Sequence, residues 1–171
     1  MQGGAGRVTA LETVPGALEC LEAWFVREWR DWYGPRGIGD ASRDLNACLQ
    51  ARNHLPRCLV SLDGSGDVIG TVSLRDTSPG SDRYPGVWVT ALLVPVPLRR
   101  SGLGTGLIAA AEAEALRLGF SEIHASTASA QSLFRRRDWC LHDSLKTRGA
   151  VLDIFRKSLK ADASSTGRPG L

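Results

Sequence analysis

The 171-residue chain is short of several features that would point to a specialised class. No apolar run approaches the roughly 20 residues that cross a bilayer, so no membrane partner is expected. Cys20, Cys48, Cys58 and Cys140 are scattered, with no CxxC pair and no CxxCH. That spacing argues against a metal site and a disulfide framework, and reads as free thiols. Net charge is only +3, too little and too dispersed for an extended nucleic-acid contact and better suited to a small anionic ligand. The start, "MQGGAGRVTALE", lacks the basic-then-apolar layout of a signal peptide, which predicts a cytoplasmic protein. What the chain does have is apolar bulk: hydrophobic residues make up 43%, enough for a sizeable core.

The order of patterns predicts an α+β domain over residues 1–160, with a small, polar, flexible tail over 161–171. Arg7–Glu12 reads as a strand. Pro15 opens a helix through about Trp32, and Asp40 caps a second from Ala41 to about Arg52. "RCLVSL" and "VIGTVSL" flank "DGSGD", a hairpin signal. "DTSPGSDRYPG" (76–86) reads as a flexible loop. "VWVTALLV" (87–94) is apolar at successive positions, as in a central strand covered on both faces. A helix is expected from about Thr105 to Leu118, closed by Gly119. "SEIHAS" is a strand, 129–137 a short helix with Leu133 and Phe134 inside, and "WCLHDSL" and "AVLDIFRKSL" form a closing hairpin. The sum is a mixed, mainly antiparallel sheet with about four helices and one parallel crossover at 87–125.

Between the central strand and the helix lies "RRSGLGTG", Arg99–Gly106. Its glycines let backbone approach a ligand, and the helix start adds unpaired N–H groups and a positive dipole end. Together they suit a pyrophosphate, with Arg99 and Arg100 adding charge at the rim. A Walker loop would need GxxxxGK, and no lysine is present; a dinucleotide fingerprint would need GxGxxG, and residue 107 is Leu. Arg99, Gly102 and Gly104 meet the pattern R-x-x-G-x-G in full. Taken alone, the string also fits a plain glycine-rich helix start.

The wider context resembles the GNAT superfamily of acyl-CoA-dependent N-acyltransferases, bacterial members in particular. "VIGTVSL" is similar to their "vGtasL" strand, "WVTALLVPVPLRRSGLGTGLI" (88–108) to "WLaaLyVdPayRgrGiGraLv", and "TASAQSLFRRRDW" (127–139) to "TpdAeaLYerlGW". "AWFVREW" resembles their first helix, and the likeness runs in order over about residues 10–158. It implies the GNAT fold with a splayed central strand pair and acetyl-CoA as co-substrate. It also implies that Leu92, Leu93 and Val94 line the pantetheine arm, and that Arg99, Arg100, Ser101, Gly102, Leu103, Gly104 and Thr105 receive the diphosphate. A backbone N–H near Leu93 would polarise the thioester carbonyl.

The chain departs from that pattern at Phe134, where many relatives carry a tyrosine that protonates the departing thiolate. Phe134 has no such proton and is expected to line the coenzyme slot, with Ser129, Ser132 or water as substitutes. Ser129 stands where an Asp or Asn is common, and Asp138 replaces a frequent Gly. The fourth strand lacks the acid some relatives place there. Asp76, at the end of the third strand, is the first candidate to assist amine deprotonation, followed by Glu28 and Asp31 on the first helix. His54 could touch substrate, whereas His124 reads as structural. Arg135–Arg137 could reach the coenzyme's phosphates, but a solvated basic helix face is the favoured reading. The function implied is N-acetyl transfer to a primary amine of a small molecule or peptide, in a monomer or homodimer. The alternative is an acyl-CoA-binding regulatory module with weak or no turnover.

Overall fold

The computed structural model describes residues 6–160, so the expected tail at 161–171 lies outside the described residues. Seven strands form one sheet: β1 Arg7–Ala10, β2 Arg57–Leu62, β3 Val68–Arg75, β4 Val87–Leu93, β5 Glu122–Thr127, β6 Cys140–Lys146 and β7 Val151–Ser158. Their order is β1-β2-β3-β4-β5-β7-β6. Every neighbouring pair is antiparallel except β4 and β5, which are parallel across the crossover. Among the described residues no helix is long and apolar enough to cross a membrane.

Strand periodicity sends alternate side chains to two cores. On one face Leu59, Val72, Leu74, Val87, Val89, Ile123 and Ala125 pack with Leu107, Ile108, Ala111 and Ala115 of α4 (Leu103–Arg117). On the other, Cys58, Val60 and Leu62 pack against α1 (Leu18–Glu28) and α3 (Ala41–Gln50) through Leu21, Phe25, Leu45 and Cys48. β2 is covered on both faces and every residue in it is buried.

The helix ends follow local chemistry. The Asp40 carboxylate accepts the Arg43 N–H at 2.9 Å, capping α3 as expected. The first helix is shorter than its pattern suggested. Pro15–Ala17 is a 3-10 turn, and α1 stops where Trp29 leaves helical geometry (φ −113°, ψ 57°). The ring of Trp29 meets Phe25 edge-on at 5.0 Å, and a one-turn helix, α2 (Arg30–Tyr33), follows. α4 begins at Leu103, two residues before the expected Thr105, because Gly102 (φ 85°) supplies the left-handed step that turns the loop into the helix.

The segment 76–86 is not a loose loop but a cover clamped on the sheet. Tyr84 Oη donates to Asp143 at 2.9 Å, Trp88 Nε1 donates to the Tyr84 carbonyl at 3.0 Å, and the Ser78 and Ser126 hydroxyls are 3.2 Å apart. Gly80 (φ +103°) lies so close that a Cβ there would stand 2.8 Å from Ile154 and 3.0 Å from Trp88.

Two buried charge networks tie distant segments. Arg57 bridges Glu12 at 2.8 Å and Glu114 at 2.7 Å, and also donates to the Ala51 carbonyl. Glu112 on α4 accepts from Arg137 (2.5 Å), Trp139 (2.8 Å) and Lys157 (3.1 Å).

β4 is irregular near its end. Ser73 pairs with Thr90 and Thr71 with Leu93, so two steps on β3 face three on β4. Ala91 takes up the extra residue at φ 48°, a bulge that bends the strand. Parallel pairing with β5 covers only Val87–Val89 against Ile123–Ala125. Beyond that the two strands part, and the splayed pair expected from the sequence is present.

Candidate active site

A cleft of about 950 Å³ opens where β4 leaves β5. One lip is the end of β4, with Leu92, Leu93 and Val94, continuing through Leu98, Arg99 and Arg100 to Gly102, Gly104 and Thr105. The other is the segment around α5 (Gln131–Arg135), with Ser129, Ala130, Ser132, Leu133 and Arg136. Glu28, from the end of α1, is the one carboxylate among the described residues lining it.

The loop before α4 presents its amides outward. Arg100 (φ 61°) and Gly102 (φ 85°) are both left-handed, which turns neighbouring N–H groups toward a common side. The first intrahelical bond runs from Gly106 N–H to the Gly102 carbonyl, at 3.0 Å. The N–H groups of Arg100 through Thr105 have no hydrogen-bond partner among the described residues, and no side chain caps α4. The Ser101 hydroxyl instead donates back to the Leu98 carbonyl at 2.5 Å. Six adjacent donors at a helix start form a socket for a polyanion. Gly104 keeps it open, since a Cβ there would stand 3.2 Å from Leu133 across the cleft.

Charge reinforces this. Arg99 donates through Nε to the Val94 carbonyl at 2.8 Å, and its Nη2 lies 3.8 Å from Glu28 Oε1. Both side chains of that pair are about half exposed, so it contributes little to stability and serves to aim Arg99. Three guanidinium groups, Arg99, Arg100 and Arg136, face the cleft against the single carboxylate.

The structure gathers most of the expected residues, with informative exceptions. Leu92, Leu93, Val94, Arg99, Arg100, Gly102, Gly104, Thr105 and Glu28 all line the cleft. Ser101 and Leu103 do not line it with their side chains; their amides belong to the uncapped run. Phe134, expected to line the slot, is 3% exposed and packs in the core, 4.9 Å from Trp139 and 5.7 Å from Phe155. Its neighbour Leu133 takes the cleft position, because one residue along a helix rotates a side chain by about 100°. Asp76 is misplaced for proton transfer at this cleft. Arg75 pairs with Trp88, so Asp76 lies beyond the closed end of β4. Leu93 is five residues further along, roughly 16 Å at strand spacing.

The histidines stand apart from the cleft lining. His124 is buried and stacks on Trp88 at 5.0 Å, with Nε2 3.1 Å from Glu122. Burial holds its pKa below the ordinary histidine range, and it is a structural residue. His54 is exposed and hydrogen-bonds the Leu55 carbonyl through Nδ1 at 2.8 Å. Leu98 is a cleft residue that sequence reasoning missed. Of the three consecutive arginines it is Arg136 that lines the cleft, and the run alone gives no sign of which one faces inward.

Comparison with solved structures returns the same architecture. The chain is similar to an aminoglycoside 6'-acetyltransferase of type Ii, with a TM-score of 0.71, 13% identity, and 91% of this chain against 98% of that one. It is also similar to an aminoglycoside 6'-N-acetyltransferase complexed with coenzyme A, at a TM-score of 0.70 and 12% identity over 91% and 98% of the two chains. A GNAT acetyltransferase from Staphylococcus aureus aligns with a TM-score of 0.64 and 13% identity, over 90% and 100%. No curated protein matches the sequence. The model of the acetyltransferase (GNAT) family matches residues 21–139. With the splayed strands and the uncapped loop, this makes the chain a member of the acetyltransferase (GNAT) family, whose enzymes use acetyl-CoA.

Proposed function

We infer that the protein is an N-acetyltransferase that moves an acetyl group from acetyl-CoA to a primary amine by direct attack. The observation that carries this reading is the run of six uncapped amides from Arg100 to Thr105, open to a cleft between parted strands. Those amides would hold the diphosphate, and the exposed backbone of Leu92–Val94 would hold the pantetheine arm. The thioester supplies an activated acyl group with a thiol leaving group. A backbone N–H near Leu93 would polarise its carbonyl.

The acceptor nitrogen forms a C–N bond as the C–S bond breaks, and the nitrogen sheds a proton. A lysine-like amine has a pKa of about 10.4, so freeing its lone pair at pH 7 costs about 4–5 kcal/mol. Glu28 is the carboxylate at hand for that step, directly or through water. The leaving thiolate takes a proton from water or from the hydroxyl of Ser129 or Ser132, both of which line the cleft. The acceptor would be a primary amine of a small molecule or a peptide.

The experiment is thermal unfolding with and without acetyl-CoA, followed by thiol release against a panel of mono- and polyamines. At a hundredfold excess over Kd the coenzyme adds about 2.7 kcal/mol of stability, a shift of several degrees. No shift near millimolar coenzyme overturns the reading. The absence of a tyrosine hydroxyl at Phe134 favours a second reading, an acyl-CoA-binding regulatory module, which predicts the thermal shift without thiol release on any amine.

A further inference from the structure

Arg135, Arg136 and Arg137 are adjacent in sequence, yet the fold sends them three ways. Arg137 is spent on Glu112, 2.5 Å away. Arg135 lies over the Phe155 ring, 5.4 Å from its centroid. The Arg136 guanidinium has no hydrogen bond or ion pair among the described residues and lines the cleft. Arg136 is exposed and shares the cleft with Arg99 and Arg100, so an anion bound there would relieve the repulsion among them.

The diphosphate alone does not call for it. Six amides, a helix start and Arg100 already surround that position. Leu133 marks the place where α5 meets the socket, since it is the side chain closest to a Cβ built on Gly104. Arg136 is three residues further, on the same side of its helix and about 5 Å along the axis from Leu133. It therefore lines the same cleft about one helical turn from the point where α5 meets the socket.

We propose that Arg136 binds the 3'-phosphate on the ribose of coenzyme A and so selects the phosphorylated coenzyme over its 3'-dephospho form. This rests on the coenzyme reading above and adds to it a specificity-determining residue outside the glycine loop. A phosphate monoester near neutral pH is close to a dianion, and a guanidinium offers it a paired, charge-assisted contact.

The test is calorimetric titration with coenzyme A and with 3'-dephospho-coenzyme A, on the wild type, Arg136→Ala, Arg136→Lys and Arg135→Ala. The wild type is expected to prefer coenzyme A by about tenfold, the size of one charge-assisted hydrogen bond. Arg136→Ala should lose that preference by weakening coenzyme A alone, leaving the dephospho form within about twofold, and Arg136→Lys should restore part of it. Arg135→Ala should keep the preference. Unliganded unfolding temperatures report whether each variant folds. Equal weakening of both ligands in Arg136→Ala, or no preference in the wild type, overturns the proposal while the coenzyme site stands. Failure of the wild type to bind either ligand is the separate result that removes the site itself.

Discussion

Glu112 shows how much one side chain can organise. Burial alone pushes its pKa up, but the hydrogen bonds from Arg137, Trp139 and Lys157 outweigh that and hold it below the ordinary glutamate value. A carboxyl with a lowered folded-state pKa adds stability that is fully present above the unfolded value of about 4.3. That stability drains away as pH falls through the folded value. The urea midpoint should therefore drop between pH 5 and pH 3, and Glu112→Gln should flatten the drop. At pH 7 the same variant should cost roughly 2–4 kcal/mol, since it strands two cations in a partly buried place. At the cleft, Glu28→Gln should lower turnover about 10²-fold, while Asp76→Asn should leave steady-state turnover unchanged. The contrast was not readable from sequence. Both are acids near the ends of elements, and only the β3–β4 register shows that Asp76 sits at the closed end. Asp138 was more legible: it stands where relatives place glycine and adopts φ 61°, a conformation glycine would take freely.

Among the elements, the start of α4 holds the most chemistry. Its backbone is local in origin: left-handed Arg100 and Gly102, then a helix, all within a few residues. That is why the loop could be read from the string "RRSGLGTG", whereas the partners across the cleft could not. Gly102 is needed for its φ and Gly104 for clearance, two separate demands on one short segment. Gly104→Leu should leave the fold intact at a modest cost from crowding Leu133, and should abolish the thermal shift given by acetyl-CoA. Differential scanning fluorimetry on the variant checks both halves. The break at Trp29 was opaque for a different reason. The apolar pattern continues through Trp32, and what ends α1 is the backbone geometry at Trp29, not a Pro or Gly in the sequence. The cover over 76–86 was likewise masked by its composition. Turn residues describe how a segment bends, not whether Tyr84 and Ser78 anchor it to strands far along the chain.

At the scale of the molecule, the two hairpins, the parallel crossover and the mainly antiparallel sheet followed from patterns that each strand carries in itself, whereas the placing of β7 between β5 and β6 did not. The charge networks did not. Arg57 joins residues 12 and 114, and Lys157 joins 112, separations no local pattern encodes. These links matter because the sheet is nearly divided. Between β4 and β5 the ladder holds only three residue pairs. On one side lie β1–β4 with α1, α3 and α4; on the other lie β5–β7 and α5. The Glu112 cluster and the shared core behind α4 fasten the two parts together.

A ligand that spans both lips would then act as a clasp between two wings. Filling the cleft should slow amide hydrogen exchange along β5 and β7, well away from the bound molecule, because those amides open when the wings part. Exchange measured with and without coenzyme A would show protection spreading past the cleft; protection confined to residues 92–105 and 129–136 would mean the seam does not flex. Substrate loading would thereby double as mechanical reinforcement, making the resting enzyme the more fragile form in the presence of a protease.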